Sequence, residues 1–302
     1  MNAFLYYTVA AFVAYCALTS ALFMLSFIVP RAGFFARCLA MYMTFFGAAV
    51  FGVVSSIILT LLGQQNIAQW ATARAFLYAA RLTTGTSFEV DDPTNILGTT
   101  RPAVFIGNHQ TELDVLMLGA VFPKYCSVTG KRSLKHIPFL GWFMTLSGSI
   151  FIDRANSKDA RQAMQGAADE IKARKQSVYM FPEGTRSYSK EPTLLPFKKG
   201  AFHLAVQAGV PIVPCVVANY SHLLYPKEYR FNAGTFTNMP CQVLDPIPTK
   251  NLTSADVDEL TRTTRELMLK ELMTLTAKAR GQPMAVPANP TSAKSSGVDL
   301  KN

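Results

Sequence analysis

Residues 103–121 of the chain read AVFIGNHQTELDVLMLGAV. The first five form a short apolar run that predicts a buried β-strand, and residues 113–121 have the apolar pattern of a helix. Further apolar runs alternate with helical stretches, and these runs lie near residues 149, 177, 212 and 241. Strands that alternate with helices form a sheet covered by helices. The sequence therefore predicts an α/β fold with a mostly parallel sheet.

The turn between this strand and helix contains a histidine and an aspartate five positions apart, His109 and Asp114. On a continuous helix, five residues advance by roughly 500°, which leaves two side chains about 140° apart. The pair can meet only because the backbone changes direction at the turn. Asp114 can then accept a hydrogen bond from one imidazole nitrogen and stabilise the imidazolium that forms when the other nitrogen takes a proton. The alternative is a surface histidine beside an acid that caps a helix.

Further motifs accompany this turn in order along the chain. They are GKRSLKHIPFLGWFMTLSG at 130–148, GSIFIDR at 148–154, FPEGTRSY at 181–188, LPFKKGAFHLA at 195–205 and VPIVPC at 210–215. With them, residues 100–250 resemble the glycerolipid acyltransferase family, and within it the lysophosphatidic acid acyltransferases (1-acyl-glycerol-3-phosphate acyltransferases) of the fungal endoplasmic reticulum type. Thr111 and Glu112 stand where many family members have a serine and a small residue.

The resemblance implies transfer of a fatty acyl group from acyl-CoA to the sn-2 hydroxyl of lysophosphatidic acid, which gives phosphatidic acid. His109, oriented by Asp114, is then the general base for the attacking hydroxyl. Acyl-CoA is a co-substrate, and neither a cofactor nor a metal is expected, since the sequence has no Walker, CxxC or HExxH pattern. Two alternatives stay open. In the first, the enzyme acylates a different acceptor, glycerol 3-phosphate or another lysophospholipid. In the second, the chain is a non-catalytic protein whose hairpin shapes membranes.

The phosphate of such an acceptor requires cations, and a guanidinium offers paired donors that match phosphate oxygens. Arg186 and Arg154 each follow a predicted strand and are candidates for this contact. The resemblance implies further residues of the acceptor pocket: Lys131, Glu183, Gly184 and Thr185. The alternatives are a structural Glu–Arg pair in a turn and an ion pair between Arg154 and a nearby aspartate.

The beginning of the chain is apolar. The first charged residue is Arg31, so residues 1–30 exceed the roughly 20 uncharged residues that cross a bilayer. A second uncharged stretch has its core at 39–62, and RAGFFAR, residues 31–37, lies between the two. A linker of that size predicts a tight hairpin that spans the membrane or enters one leaflet. Residues 64–82 suit either a helix at the membrane interface or an ordinary packing helix.

These segments predict a membrane hairpin and interfacial helix at 1–82, the catalytic domain at 83–280 and a disordered tail at 281–302. The net charge of +10 favours an anionic phospholipid membrane and phosphate-bearing substrates. A nucleic-acid partner is not expected, because a basic-aromatic binding motif is missing. The resemblance implies the endoplasmic reticulum membrane, with lipid droplets as a further location and the catalytic domain in the cytosol. Glycosylation sequons at Asn219 and Asn251 make this orientation testable.

Overall fold

The computed structural model of the chain describes residues 2–153, 157–232 and 237–281. From residue 282 onward, the tail predicted to be disordered lies outside the described residues. The helices are α1 Ala3–Leu25, α2 Pro30–Leu61, α3 Ala68–Thr84, α4 Ile96–Thr99, α5 Asp114–Val121, α6 Leu140–Leu146, α7 Ser157–Arg174, α8 Gly200–Ala208 and α9 Val257–Ala279. The strands are β1 Thr86–Asp91, β2 Val104–Gly107, β3 Cys126–Lys131, β4 Ile150–Ile152, β5 Ser177–Met180, β6 Ile212–Val217, β7 Leu224–Tyr225, β8 Arg230–Phe231 and β9 Thr237–Val243. Short 3₁₀ turns lie at Gln65–Ile67, Arg132–His136 and Pro226–Glu228.

The main sheet has the strand order β1-β9-β6-β2-β5-β3-β4. Strands β6, β2, β5, β3 and β4 all run parallel to one another. β9 is antiparallel to β6, and β1 is parallel to β9, so these two strands at one side run the opposite way. β7 and β8 form a small antiparallel hairpin after β6. The mostly parallel sheet predicted from the sequence is confirmed.

Helices cover both faces of this sheet. The connections from β2 to β3 and from β3 to β4 cross the sheet in one direction, and those from β4 to β5 and from β5 to β6 cross it in the other. Because such crossovers are right-handed, α5 and α6 lie on one face and α7 and α8 on the other. α3 packs beside α5, and α9 packs beside α8. Every residue of β2 and β6, near the middle of the sheet, is buried between the two layers.

α1 and α2 form the predicted hairpin, but its turn differs from the prediction. Residues 31–37 were expected to form the linker, whereas the chain reverses over residues 26–29 and α2 begins at Pro30. Proline suits the first helical position because the N–H that it lacks has no intrahelical partner there. The helix therefore begins at Pro30, and residues 31–37 form its first two turns instead of a linker. Both helices are long and apolar enough to cross a membrane.

α2 lies between α1 and the rest of the protein. Its buried residues extend from Ala32 to Ser56, and it packs against α3, α6 and β8. Among the described residues, α1 packs mainly onto α2, where the Tyr15 hydroxyl donates to the carbonyl oxygen of Leu39 at 2.8 Å. None of the residues of α1 is buried. Within the described part of the chain, the side of α1 that faces away from α2 therefore has no protein cover, as is typical of a lipid-facing helix.

One side of α3 is buried along the helix, mainly against α2 and α5. Gln69 donates from Nε2 to the carbonyl oxygen of Ser147 at 3.0 Å and accepts the amide of Val128 at 2.8 Å. Near the end of the helix, Tyr78 is exposed. Of the two interpretations of residues 64–82, the packing helix describes the beginning and middle of α3, and only its last turns present apolar side chains to the surroundings.

Candidate active site

The loop between β2 and α5 contains both members of the predicted catalytic pair. At its start the buried Asn108 bonds twice to β6: Oδ1 accepts the amide of Val217 at 2.9 Å, and Nδ2 donates to the Val217 carbonyl oxygen at 3.0 Å. Gln110 donates from Nε2 to the carbonyl oxygen of Ala218 at 3.1 Å. These bonds hold the loop against the end of the neighbouring strand. The chain therefore turns back before α5 begins at Asp114.

This turn brings the side chains of His109 and Asp114 together. Nδ1 of His109 lies 2.7 Å from Oδ2 of Asp114. The same carboxylate oxygen accepts the backbone amides of Gln110 at 2.6 Å and Thr111 at 3.1 Å. The side chain of Asp114 is 1% exposed and that of His109 is 16% exposed. A buried carboxylate with this set of donors orients the imidazole and favours the tautomer with hydrogen on Nδ1.

The imidazole is also fixed from its face. The ring of Phe181 stacks on that of His109, with centroids 4.2 Å apart and an interplanar angle of 17°. In the described residues, the hydrogen bonds of the ring involve Nδ1 alone, which leaves Nε2 available to a substrate. The pair thus has the geometry of a general base, with one imidazole nitrogen held by the carboxylate and the other left for a substrate.

Tyr220 is a member of this site that sequence reasoning missed. Its hydroxyl donates to Oδ1 of Asp114 and accepts the backbone amide of Thr111 at 3.2 Å. Burial raises the pKa of this phenol well above its usual value, so it stays a neutral donor. Tyr220 follows β6, which is the neighbour of β2 in the sheet. The sequence does place Tyr220 just after a predicted strand. Only the strand order, in which β6 lies next to β2, shows that Tyr220 reaches Asp114.

The resemblance implies that Glu183 lines the acceptor pocket, whereas in the structure both of its carboxylate oxygens accept backbone amides. Its side chain is buried, and its carboxylate connects two loops: Oε1 accepts the amide of His109 at 2.7 Å, and Oε2 accepts the amide of Leu195 at 2.9 Å. Both oxygens therefore face backbone. The geometry supports a role in holding the His109 loop in place.

The stability of the protein is expected to depend on the ionisation of Glu183. Burial raises the pKa of this carboxyl from 4.5 to about 7. Between these two pH values, the folded protein therefore keeps a proton on Glu183 that the unfolded chain releases. The stability that this group contributes is full below pH 4.5 and is lost as the pH rises through about 7. At 1.36 kcal/mol per pKa unit, the loss is about 3 kcal/mol.

Glu183→Gln removes this titration. The difference in Tm between the wild type and the variant is therefore expected to favour the wild type most near pH 5 and to shrink toward about pH 8. Thermal unfolding of both proteins in one detergent across this range measures it. Parallel pH profiles would contradict the assignment of the titrating group.

Arg186 lies in the loop after β5, and its guanidinium is engaged by two side chains. Nη1 donates to Oε1 of Glu112 at 2.9 Å and to the hydroxyl of Tyr188 at 3.3 Å. The Tyr188 hydroxyl in turn donates to the same Glu112 oxygen at 2.6 Å. Nε of Arg186 is buried and has no hydrogen-bond partner among the described residues. Glu112 and Tyr188 thus hold one side of a guanidinium that retains an unused donor.

The other predicted substrate-binding residues lie at different distances from the His109–Asp114 pair. Gly184 has a positive φ of 69°, a backbone conformation that favours glycine. A Cβ at this position would lie 2.9 Å from the flexible end of the Lys198 side chain, which can move aside. Thr185 is exposed in the same loop. Lys131 is the last residue of β3, which lies two strands from β2 in the sheet. It is therefore at the carboxyl ends of the parallel strands, as His109 is. Arg154 lies outside the described residues.

The site as a whole lies at one edge of the sheet. His109, Glu183 and Tyr220 follow the carboxyl ends of β2, β5 and β6, which are neighbouring parallel strands. In open α/β sheets, ligands bind at this edge. Residues far apart in the sequence therefore converge on the His109 loop.

Comparison with known proteins identifies the family. A family model described as "Acyltransferase" matches residues 87–218. The 1-acyl-sn-glycerol-3-phosphate acyltransferase of Saccharomyces cerevisiae is 43% identical over 245 residues, which cover 81% of this chain and 79% of the yeast protein. The human 1-acyl-sn-glycerol-3-phosphate acyltransferase beta is 38% identical over 72% of this chain and 77% of the human protein.

A solved structure extends the likeness to the fold. The crystal structure of the 1-acyl-sn-glycerophosphate (LPA) acyltransferase PlsC from Thermotoga maritima matches with a TM-score of 0.60 and 20% sequence identity. The match covers 86% of this chain and 96% of the bacterial chain, so the same architecture extends over nearly the whole of both. Given its identity to the yeast protein over most of the chain, this protein belongs to the 1-acyl-sn-glycerol-3-phosphate acyltransferase family.

Proposed function

We propose that the protein transfers a fatty acyl group from acyl-CoA to the sn-2 hydroxyl of lysophosphatidic acid and so forms phosphatidic acid. The observation that carries the proposal is the 2.7 Å contact between Nδ1 of His109 and Oδ2 of Asp114. The same pair activates a serine in the hydrolases that use a catalytic triad. Here the nucleophile is the hydroxyl of the acceptor. The names of the yeast and human relatives support the acyltransferase chemistry and the choice of acceptor.

The reaction requires one proton to be moved twice. Nε2 of His109 takes the proton of the acceptor hydroxyl as its oxygen attacks the carbonyl carbon of the thioester, and the Asp114 carboxylate stabilises the imidazolium. When the tetrahedral intermediate collapses, the C–S bond breaks and the imidazolium returns the proton to the CoA thiolate. The products are phosphatidic acid and free CoA, and His109 is neutral again.

Arg186 is the proposed contact for the phosphate of the acceptor. It follows β5, the strand next to β2, so the phosphate and the hydroxyl of one glycerol unit can reach Arg186 and His109 together. The carboxylate of Glu112 lies 2.9 Å from the guanidinium. Both the phosphate and this carboxylate are anions that accept from the same donors. Glu112 therefore competes with the acceptor for Arg186.

Substitutions at this ion pair are expected to change the KM for lysophosphatidate in opposite directions. Arg186→Ala should raise it by about 10-fold or more, because hydrogen bonds to charged groups contribute about 1.5–3 kcal/mol. Glu112→Gln should lower it, since an amide oxygen still accepts from Arg186 but the competing charge is gone. Steady-state kinetics with each substrate varied in turn provide the measurement. A larger effect of Arg186→Ala on the KM for acyl-CoA would place this residue at the thioester instead.

The hairpin is proposed to lie in one leaflet of the membrane. The buried face of α2, from Ala32 to Ser56, extends over about 36 Å at 1.5 Å per residue, more than the roughly 30 Å of a hydrocarbon core. If α2 crossed the bilayer, α3 and α6 beside it would lie in hydrocarbon with their polar side chains and connecting loops. A hairpin parallel to the surface avoids that cost.

This placement brings the site close to its lipid substrate. The rings of Phe34 and Phe35, near the start of α2, lie with their centroids 5.6 and 5.7 Å from that of Tyr229. Tyr229 belongs to the segment that follows β6 and Tyr220, at the carboxyl edge of the sheet. A lysophospholipid with its acyl chain in the leaflet can therefore present its head group to the site.

We expect the catalytic domain to face the cytosol at the endoplasmic reticulum, so Asn251 of the full-length protein should remain without glycan in a eukaryotic host. Asn251 is exposed and can report on a lumenal location. Asn219 is the less suitable reporter, because in the folded protein its side chain is buried and Nδ2 donates to the carbonyl oxygen of Ser189 at 3.0 Å. A version with an added secretory signal peptide is the positive control, in which Asn251 should be glycosylated. Glycan on the unmodified chain would place the domain in the lumen.

An assay with radiolabelled acyl-CoA and several acceptors tests the function directly. Purified protein is expected to acylate lysophosphatidate in preference to glycerol 3-phosphate and to lysophosphatidylcholine. Greater use of either competitor would assign the enzyme to that acceptor. Release of no CoA with any acceptor would favour the non-catalytic hairpin protein.

A further inference from the structure

We propose that residues 132–146, called here the interfacial segment, form a second membrane contact that lies in the head-group region of an anionic lipid surface. The segment connects β3 to β4 and contains the 3₁₀ turn Arg132–His136 and helix α6. The inference rests on the proposed placement of the hairpin in one leaflet. It adds a part of the α/β domain to the surface that lipid covers.

The interfacial segment exposes large apolar side chains that the core does not use. Trp142 is 53% exposed and Ile137 is 44% exposed, and Leu146 is exposed as well. A single exposed apolar residue is common on proteins, but three within ten positions on one segment are an apolar patch. Tryptophan is enriched where membrane meets water, because its ring is apolar and its N–H is polar.

Ring contacts make this patch continuous with the membrane hairpin. The ring of Phe139 lies edge to face with that of Phe46 on α2 at 5.2 Å between centroids, and 4.9 Å from that of Trp142. The ring of Phe143 lies so close to Gly52 that a Cβ on the glycine would be 2.6 Å from it. α6 is therefore seated directly on the backbone of α2. Since Phe46 is itself exposed, lipid that covers this side of α2 also reaches Trp142.

The charges of the segment favour anionic lipid over a neutral surface. Arg132, Lys135 and His136 are all exposed, and the segment contains no acidic residue. Arg132 has a distant ion pair with Asp153, 3.8 Å between Nη1 and Oδ2. Basic side chains beside an exposed tryptophan match the negative potential of anionic head groups. The commitment to lipid, and not to a second protein, follows from the continuity with α2.

The two tryptophans of the chain, Trp70 and Trp142, allow the position to be measured by fluorescence. The test protein is full-length Trp70→Phe, in which Trp142 alone emits. The control carries Trp70→Phe, Trp142→Phe and Leu267→Trp, and Leu267 is 43% exposed on α9, in the layer on the other face of the sheet. Both are reconstituted into vesicles of phosphatidylcholine and phosphatidylglycerol, with or without bromine on the lipid chains near the head group. Flotation with the vesicles reports hairpin insertion separately.

Bromine is expected to reduce the emission of Trp142 by about half or more and to leave the control nearly unchanged, because contact quenching requires the ring to lie at the interface. If the protein floats with the vesicles and Trp142 is quenched no more than the control, the inference is overturned while the hairpin placement stands. A protein that does not float overturns both.

Lys135→Glu in the test protein should weaken the quenching more with phosphatidylglycerol present than in pure phosphatidylcholine. Equal quenching with and without phosphatidylglycerol would remove the anionic lipid from the proposal.

Discussion

Replacement of His109 with alanine is expected to reduce the rate of acyl transfer by about 10²- to 10⁴-fold, the range that general-base assistance contributes. The variant retains Asp114, Tyr220 and Glu183, so it keeps the groups that hold the loop. What it loses is the nitrogen that takes the proton from the acceptor hydroxyl and returns it to the CoA thiolate. The rate of CoA release by purified protein at saturating concentrations of both substrates measures the effect.

The matched control for this variant is His203→Ala. His203 is exposed on α8, on the other face of the sheet, and the same substitution there should leave the rate unchanged. Both variants should unfold within a few degrees of the wild type, because His203 is exposed and because Asp114 keeps the Tyr220 hydroxyl and two backbone amides as donors when His109 is removed. Activity of His109→Ala within a few-fold of the wild type would remove His109 from the role of base.

Asp114→Asn is expected to reduce kcat by about 100-fold or more, as loss of the carboxylate does in other histidine-dependent enzymes. Asparagine has nearly the shape of aspartate, and its one carbonyl oxygen can still accept the amides of Gln110 and Thr111. The negative charge that stabilises the imidazolium is lost. Kinetics at saturating substrate, together with Tm, separate this loss from unfolding. A variant with wild-type kcat would show that the 2.7 Å contact is not used in the reaction.

Tyr220→Phe provides a graded comparison with Asp114→Asn. It removes the donor to Oδ1 but leaves the carboxylate and its contact with His109, so we expect a smaller loss of kcat. In contrast, the double variant His109→Ala with Asp114→Asn should be no slower than His109→Ala alone, because residues that act as one unit are not additive. Additive losses would mean that Asp114 acts on the reaction by a route other than His109.

Several features of the fold follow from local sequence. The apolar runs near residues 103, 177 and 212 were predicted as strands, and they correspond to β2, β5 and β6, which are central strands of the sheet. β1 and β3 were missed, since Thr86–Asp91 and Cys126–Lys131 mix polar with apolar residues. The hairpin was predicted from the lack of charge. Its turn was misplaced because two arginines in the first turns of α2 resembled a polar linker.

The chain by itself determined that His109 and Asp114 meet, since they are five residues apart across a turn between a strand and a helix. It also determined the membrane hairpin and the alternation of strands and helices, which depend on the polarity of neighbouring residues. Only the tertiary structure decided that Tyr220 supports Asp114, that Glu183 supports the backbone of His109 and that Glu112 holds Arg186. These contacts join residues more than 70 positions apart. They depend on which strands are neighbours, and strand order is set by packing of the whole sheet and not by any local pattern.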